Sequence, residues 1–186
     1  MKVHITDQLI VAPFRVGDAD ALFRLTDQSR ESLRAWLPWV DRIQRVEDTR
    51  QFIEFAEMDR EAEKRLVLAI RYNNTIVGVA GFNEIDRTNQ IVKIGYWLGA
   101  EYEGRGWMTA VVKGLIHHAF TTMELNKVEI RVAVHNAKSQ RIPQRLGFVN
   151  EGCIRQAEKL YDRYVDHTIY GLLRTEWKQP TEKESP

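Results

Sequence analysis

A Gly-x-Gly turn lies between a strand pattern and an amphipathic helix: Gly104-Arg105-Gly106 precedes Trp107-Met108-Thr109. These residue types can hold phosphate oxygens. A helix start offers unpaired backbone N–H groups and the positive end of the macrodipole, so an anion is held there without a cluster of basic side chains. The glycines permit turn angles and close approach of the backbone to a ligand. An ordinary capped loop has the same makeup, so the motif gains weight only from the segments on either side of it.

The strand before the turn is Ile91–Leu98, ending in Tyr96-Trp97-Leu98. The helix after it places Met108, Val111, Val112, Leu115, Ile116, Ala119, Phe120 and Met123 at a 3.6-residue period. In Lys127–Val134, Val128, Ile130, Val132 and Val134 alternate with Lys127, Glu129 and Arg131, which is a strand pattern. A strand–helix–strand unit of this kind places its two strands parallel through a right-handed crossover. Asn136 then caps a helix closed by Gly147, with Ser139 in its first turn.

Upstream, Leu9–Phe14 reads as a strand. Asp18 is a candidate N-cap for a helix carrying Ala21, Leu22, Leu25 and Leu33, and Pro38 in Trp36-Leu37-Pro38-Trp39 ends the helical pattern. Asp48 is the candidate cap of a second helix, with Phe52, Phe55, Ala56 and Met58 partly inward. Arg65–Tyr72 and Thr75–Ile85 flank the turn pair Asn73-Asn74, and with Ile91–Leu98 they form an antiparallel meander. Phe148–Cys153 and Tyr164–Trp177 are the last strands, and residues 179–186 read as a disordered tail after a single domain spanning 1–178.

Charge and composition exclude several classes. The formal net charge is +1, with 27 Lys and Arg against 26 Asp and Glu, so no basic excess points to nucleic acid. No apolar run approaches a membrane span and the first residues lack a secretory apolar region, which fits a cytoplasmic protein. Cys153, the one cysteine, forms no internal disulfide or cysteine-based zinc site. It sits in a strand pattern as a small buried hydrophobe, with no histidine placed for a covalent relay. His117 and His118 are adjacent on a helix and face different directions, so no metal is expected. No Walker lysine and no GxGxxG argue for a nucleotide regulator.

The glycine turn at the head of a long helix, the alternating strand, His135-Asn136-Ala137-Lys138-Ser139 and Leu146-Gly147-Phe148 occur in fixed order. In this order the chain resembles the Gcn5-related N-acetyltransferases, and within them the RimJ/RimL-type ribosomal-protein N-terminal acetyltransferases. The resemblance covers nearly the whole chain. It implies an α/β fold: a bent, mostly antiparallel mixed sheet of about seven strands, with a splayed parallel pair and flanking helices. Acetyl-CoA would lie in the splay, its pantetheine against Trp97 and Leu98. Its pyrophosphate would rest on the amides of Arg105, Gly106, Met108 and Thr109, in the loop that Gly104 and Trp107 complete. Glu101 stands where the family has Gln or Arg, and a carboxylate adds nothing to anion binding there.

Acyl transfer from a thioester to an amine makes three demands. The amine must be neutral, yet an α-amino group has a pKa of about 7.7–8.0, so a base is needed. The carbonyl oxygen needs a donor, which a strand N–H near Leu98 supplies, and the thiolate must leave stabilised. By resemblance, Glu158 is the base, Ser139 donates to the departing thiolate, and Asn136 contacts the CoA arm. Glu84 and Glu103 compete for the role of base, and Glu158 also reads as a solvated residue of a polar connection. Trp36, Trp39, Tyr161 and Tyr164 would wall the acceptor pocket. Lys138, Arg141 and Arg145 form a basic face that is either solvated or meets the 3′-phosphate. The implied acceptor is a ribosomal-protein N-terminus, attacked directly in a ternary complex, in a protein that is a dimer in similar cases. A polyamine or aminoglycoside acceptor, favoured by acids such as Glu54, Glu57 and Asp59, and a CoA-binding module without turnover are the alternatives.

Overall fold

Tight hairpins build the sheet that positions the site. In the computed structural model, which describes residues 2–178, β3 (Leu66–Tyr72) and β4 (Thr75–Asp86) are joined by Asn73 and Asn74, with φ of 47° and 67°. Asparagine tolerates this left-handed region, and the resulting turn matches the twist of the strands. β4 turns into β5 (Ile91–Leu98) at Asp86, whose carboxylate accepts the Asn89 backbone N–H at 2.9 Å and its side-chain amide at 2.7 Å. Ahead of these lie β1 (Val3–His4) and β2 (Leu9–Ala12); after them come β6 (Lys127–Ala133), β7 (Val149–Leu160) and β8 (Arg163–Leu173). The order is β1-β2-β3-β4-β5-β6-β8-β7, eight strands among the described residues where about seven are expected. The extra one, β1, has two residues, too few for any periodicity. Residues 179–186, expected as a disordered tail, lie outside the described residues.

Among the described residues only β5 and β6 pair in parallel, from Ile91 opposite Lys127 to Ile94 opposite Ile130. β6 goes on pairing with β8 as far as Ala133 opposite His167. Beyond Ile94 the two parallel strands therefore diverge, opening a wedge in the sheet.

Helices cover both faces. α4 (Trp107–Thr121) buries Met108, Val111, Val112, Leu115, Ile116, Ala119 and Phe120 against one face, as the period requires. Each such large side chain removed from water contributes about 1.5–3 kcal/mol. The other face buries Phe14, Leu22, Leu25, Ala56, Ala69, Ile76 and Val79 beneath α1 (Asp18–Gln28) and α3 (Val46–Glu61).

Several local expectations are corrected. Gly17, at φ 97°, is the N-cap of α1; Asp18 is instead buried, accepting the Arg15 N–H at 2.5 Å and pairing with the guanidinium of Arg71. Leu33 belongs to a separate short helix, α2 (Arg30–Arg34). Asp48 lies in the first turn of α3, accepting the N–H groups of Gln44 and Arg45 at 2.9 and 3.1 Å. Phe55 and Met58 are exposed, at 62% and 63%. β7 runs well past Cys153, which is exposed, because this edge strand has no second layer over it.

Candidate active site

At the head of α4 the chain forms an exposed loop with two left-handed glycines, Gly104 at φ 76° and Gly106 at φ 77°. A Cβ at either would meet no protein atom within 4 Å, so the backbone angle, not crowding by protein, selects glycine. No side chain caps the helix. Arg105 steadies the loop: its Nη2 donates to the Glu101 carbonyl at 3.2 Å, and its guanidinium lies 5.1 Å from the Trp107 ring centroid. Trp107 in turn stacks on Tyr72 at 4.4 Å. The first-turn amides of Trp107, Met108 and Thr109 are thus held on a stiff platform that suits a diphosphate. Lys138, on the facing helix α5 (Ala137–Arg145), pairs with Glu103 at 3.0 Å.

The open edge of β5 continues from this platform. Gly99 donates its N–H to Val77 of β4 at 2.9 Å, so ladder alternation turns the Tyr96 and Leu98 N–H groups to the wedge. These N–H groups can bind pantetheine amides or a developing oxyanion.

Opposite lies the start of α5. Asn136 accepts the Ser139 N–H at 3.1 Å through its side-chain oxygen, as an N-cap does. Inside α5, Pro143 lacks the N–H that the Ser139 carbonyl would otherwise accept. Tyr96 fills the gap: its hydroxyl donates to that carbonyl at 3.2 Å and accepts the Ser139 hydroxyl at 3.2 Å. Burial pushes the phenol up to about 12, against the smaller opposing effect of the Ser139 hydrogen bond, so Tyr96 remains a neutral donor at all physiological pH. This bridge across the wedge holds Ser139 beside β5.

Behind it opens a cavity of roughly 660 Å³, lined among others by Trp36, Trp39, Tyr96, Trp97, Ser139 and Glu158. Trp39 and Trp97 lie 5.9 Å apart between centroids. Tyr161, expected in the acceptor wall, is outside the cavity lining: its hydroxyl donates to the carbonyl of Leu37, which does line the cavity, at 3.0 Å and its ring lies 4.1 Å beneath the Arg34 guanidinium, so it fixes the loop that carries the tryptophans. Tyr164 is 60% exposed and away from the cavity lining. Glu158 lies on β7, not in a connection, and its Oε2 is 3.4 Å from Nε2 of His167 on β8. Glu84 also lines the cavity but is engaged by Lys93 at 2.7 Å, and Glu103 is held by Lys138 outside it.

Tyr96, His167, Arg131 and Lys93 line the cavity without having been singled out from sequence. The strand alternation of Ile91–Leu98 could have marked Tyr96, and Pro143 four residues after Ser139 could have marked the missing donor. Nothing local marks His167, which meets Glu158 only through the β7–β8 pairing. Among the described residues no group of acidic, histidine and cysteine side chains could hold a metal ion.

Comparison with known proteins agrees with this geometry. Residues 8–149 match the family described as "Acetyltransferase (GNAT) domain". The chain is 33% identical to the ribosomal-protein-serine acetyltransferase of Escherichia coli (strain K12) over 171 residues, covering 92% of this chain and 96% of that protein. Microcin C7 self immunity acetyltransferase MccE, solved in complex with acetyl-CoA and AMP, superposes with a TM-score of 0.88 at 31% identity, covering 91% of this chain and 94% of that one. RimL, the ribosomal L7/L12 alpha-N-protein acetyltransferase in complex with coenzyme A, superposes with a TM-score of 0.89 at 25% identity, covering 93% and 98% of the two chains.

Proposed function

The chain belongs to the GNAT acetyltransferase family and is an acetyl-CoA-dependent N-acetyltransferase; from that premise we propose that its acceptor is the α-amino group of a polypeptide, the N-terminus of a ribosomal protein. Acetyl-CoA supplies an acyl thioester. The amides heading α4 bind the diphosphate and the free edge of β5 orients the pantetheine. The Leu98 N–H faces the wedge, where it can donate to the carbonyl oxygen. Glu158 takes the proton of the incoming ammonium, and the Ser139 hydroxyl, whose one proton rests on the Tyr96 oxygen before acyl transfer, turns to donate it to the departing thiolate. Attack is direct, since Cys153 is exposed and outside the cavity lining.

The charge of the cavity carries the choice of acceptor. Its lining holds three permanent cations, Arg65, Lys93 and Arg131, against two carboxylates, Glu84 and Glu158. Each of these cations is paired with a carboxylate, Arg65 with Asp59, Lys93 with Glu84 and Arg131 with Glu129. Among the described residues this leaves Glu158 as the lining acid without a permanent cationic partner, a match for one terminal amine rather than for the several charges of a polyamine. Of the three acids expected to favour a polyamine, two are engaged elsewhere, Glu57 with Arg60 at 2.6 Å and Asp59 with Arg65 at 2.8 Å, and Glu54 is exposed on α3 outside the cavity lining. The relatives named for ribosomal proteins support the same reading, which places the protein in the cytoplasm. Thiol release from acetyl-CoA, measured with N-terminal peptides of ribosomal proteins and with spermidine, tests it. Turnover with a peptide and none with spermidine is expected, and the reverse contradicts the proposal.

A further inference from the structure

We propose that His167 is the positioning partner of Glu158 and passes on the proton that Glu158 removes; this rests on the reading of Glu158 as the base. Three observations carry it. First, a bulge in β7 aims one side chain at the other. Ile154 pairs with His167 and Glu158 with Val165, so four steps along β7 cover two along β8. Two additional residues of β7 are accommodated there, with Gln156 at φ 51°. The Gln156 N–H donates to Asp166 Oδ1 at 2.7 Å, pinning the bulge to the strand that carries His167. Bulges of this kind redirect side chains. Val165 and His167 share a strand face, so Glu158 arrives on the face of the imidazole.

Second, His167 is the one basic side chain of the cavity lining, among the described residues, that no carboxylate other than Glu158 engages. Arg65 pairs with Asp59 at 2.8 Å, Lys93 with Glu84 at 2.7 Å and Arg131 with Glu129 at 2.6 Å. Among the described residues, His167 is the one basic group within 4 Å of the Glu158 carboxylate, its Nε2 lying 3.4 Å from Oε2. A small rotamer change shortens that distance to a hydrogen bond when substrate fills the site. Third, the imidazole is 16% exposed and Glu158 33%, so the carboxylate is reached from the cavity while the histidine backs it.

The proton balance is complete. The ammonium gives one proton to a Glu158 oxygen, forming a carboxylic acid. That proton moves to a bare Nε2 of His167, restoring the carboxylate, and the Nδ1 proton leaves to water; exchange of the remaining proton from Nε2 to Nδ1 through water returns the imidazole to its starting tautomer. The neutral amine forms its bond to the acyl carbon, the C–S bond breaks, and the second amine proton ends on the thiolate sulfur.

The test combines His167→Gln, Glu158→Gln and the double variant, with peptide turnover and acetyl-CoA calorimetry on each. His167→Gln is expected to lower kcat about tenfold, less than the roughly 10²–10⁴ of a lost general base, with KM for the peptide and acetyl-CoA affinity unchanged. The double variant is expected to be no slower than Glu158→Gln, because groups acting as one unit are not additive. Full activity of His167→Gln beside a slow Glu158→Gln overturns this inference alone, as do losses that multiply. Full activity of Glu158→Gln overturns the reading of the base itself. Should His167→Gln not fold, the imidazole nitrogen resonances of the native protein decide: they move on Glu158→Gln if the pair interacts, and an unmoved signal refutes it.

Discussion

Replacing Tyr96 by Phe probes the bridge that holds Ser139 across the wedge. The change keeps the ring and removes the hydroxyl that donates to the Ser139 carbonyl at 3.2 Å and accepts the Ser139 hydroxyl at the same distance. Pro143 offers that carbonyl no helical donor, so the acceptor is left unpaired. A buried unpaired polar group costs about 1–3 kcal/mol. Ser139 is only half-buried, which places the cost near the lower end, at about 1 kcal/mol, or a melting-temperature loss of about 2–4 °C for a chain of this size. Pro143→Ala supplies an N–H four residues after Ser139 and takes over the role of the phenol. Thermal unfolding of Tyr96→Phe, Pro143→Ala and the pair forms a double-mutant cycle. Tyr96→Phe is expected to cost markedly less stability when Pro143→Ala is already present, while acetyl transfer is slowed equally in both backgrounds, since the Ser139 hydroxyl has lost the acceptor that fixes its rotamer beside β5. Equal costs in both backgrounds would refute the reasoning, as would a Tyr96→Phe protein as stable as the parent.

The same geometry has other measurable consequences. Gly106→Val forces a β-branched residue to the φ of 77°; at about 1–2 kcal/mol for a side chain in that region, calorimetry should show acetyl-CoA binding weakened about tenfold or more, and unchanged affinity contradicts the cradle. Glu158→Gln should lower kcat by about 10²–10⁴ with acetyl-CoA affinity intact. Asp48 is held below its ordinary value of 3.8, chiefly by the Gln44 N–H and also by that of Arg45. A lowered carboxyl stabilises the fold fully above the unfolded value and loses that contribution as pH falls through the folded one. The gap in melting temperature between the native protein and Asp48→Ala should therefore be present at neutral pH and close below about pH 4; a gap that persists in acid would contradict the role of the carboxylate.

The legibility of the sequence depends on where burial is one-sided. α4 buries a single face and β6 sets its apolar Val128, Ile130 and Val132 on one face, so their periods show plainly, and Asn73-Asn74 marks its hairpin by backbone preference alone. β7 is an edge strand exposed along most of its length; with neither face covered it has no alternation, and it reads as a short strand followed by a polar connection. Cys153 is misjudged for the same reason. The α3 residues Phe55 and Met58 follow a helical spacing yet stay exposed, because apolar period alone does not reveal whether a partner face exists. The glycine cradle and Asn136 are local and readable. The Tyr96–Ser139 and Glu158–His167 contacts join distant segments, and only strand pairing brings them together.

A peptide bearing both an α-amine and a lysine separates the two nitrogens that acetyl-CoA could modify. After incubation with the protein, tandem mass spectrometry should find one acetyl group, on the α-nitrogen. Acetylation of the lysine alone, or an unmodified peptide alongside acetylated spermidine, would contradict the assignment of a polypeptide N-terminus as the acceptor.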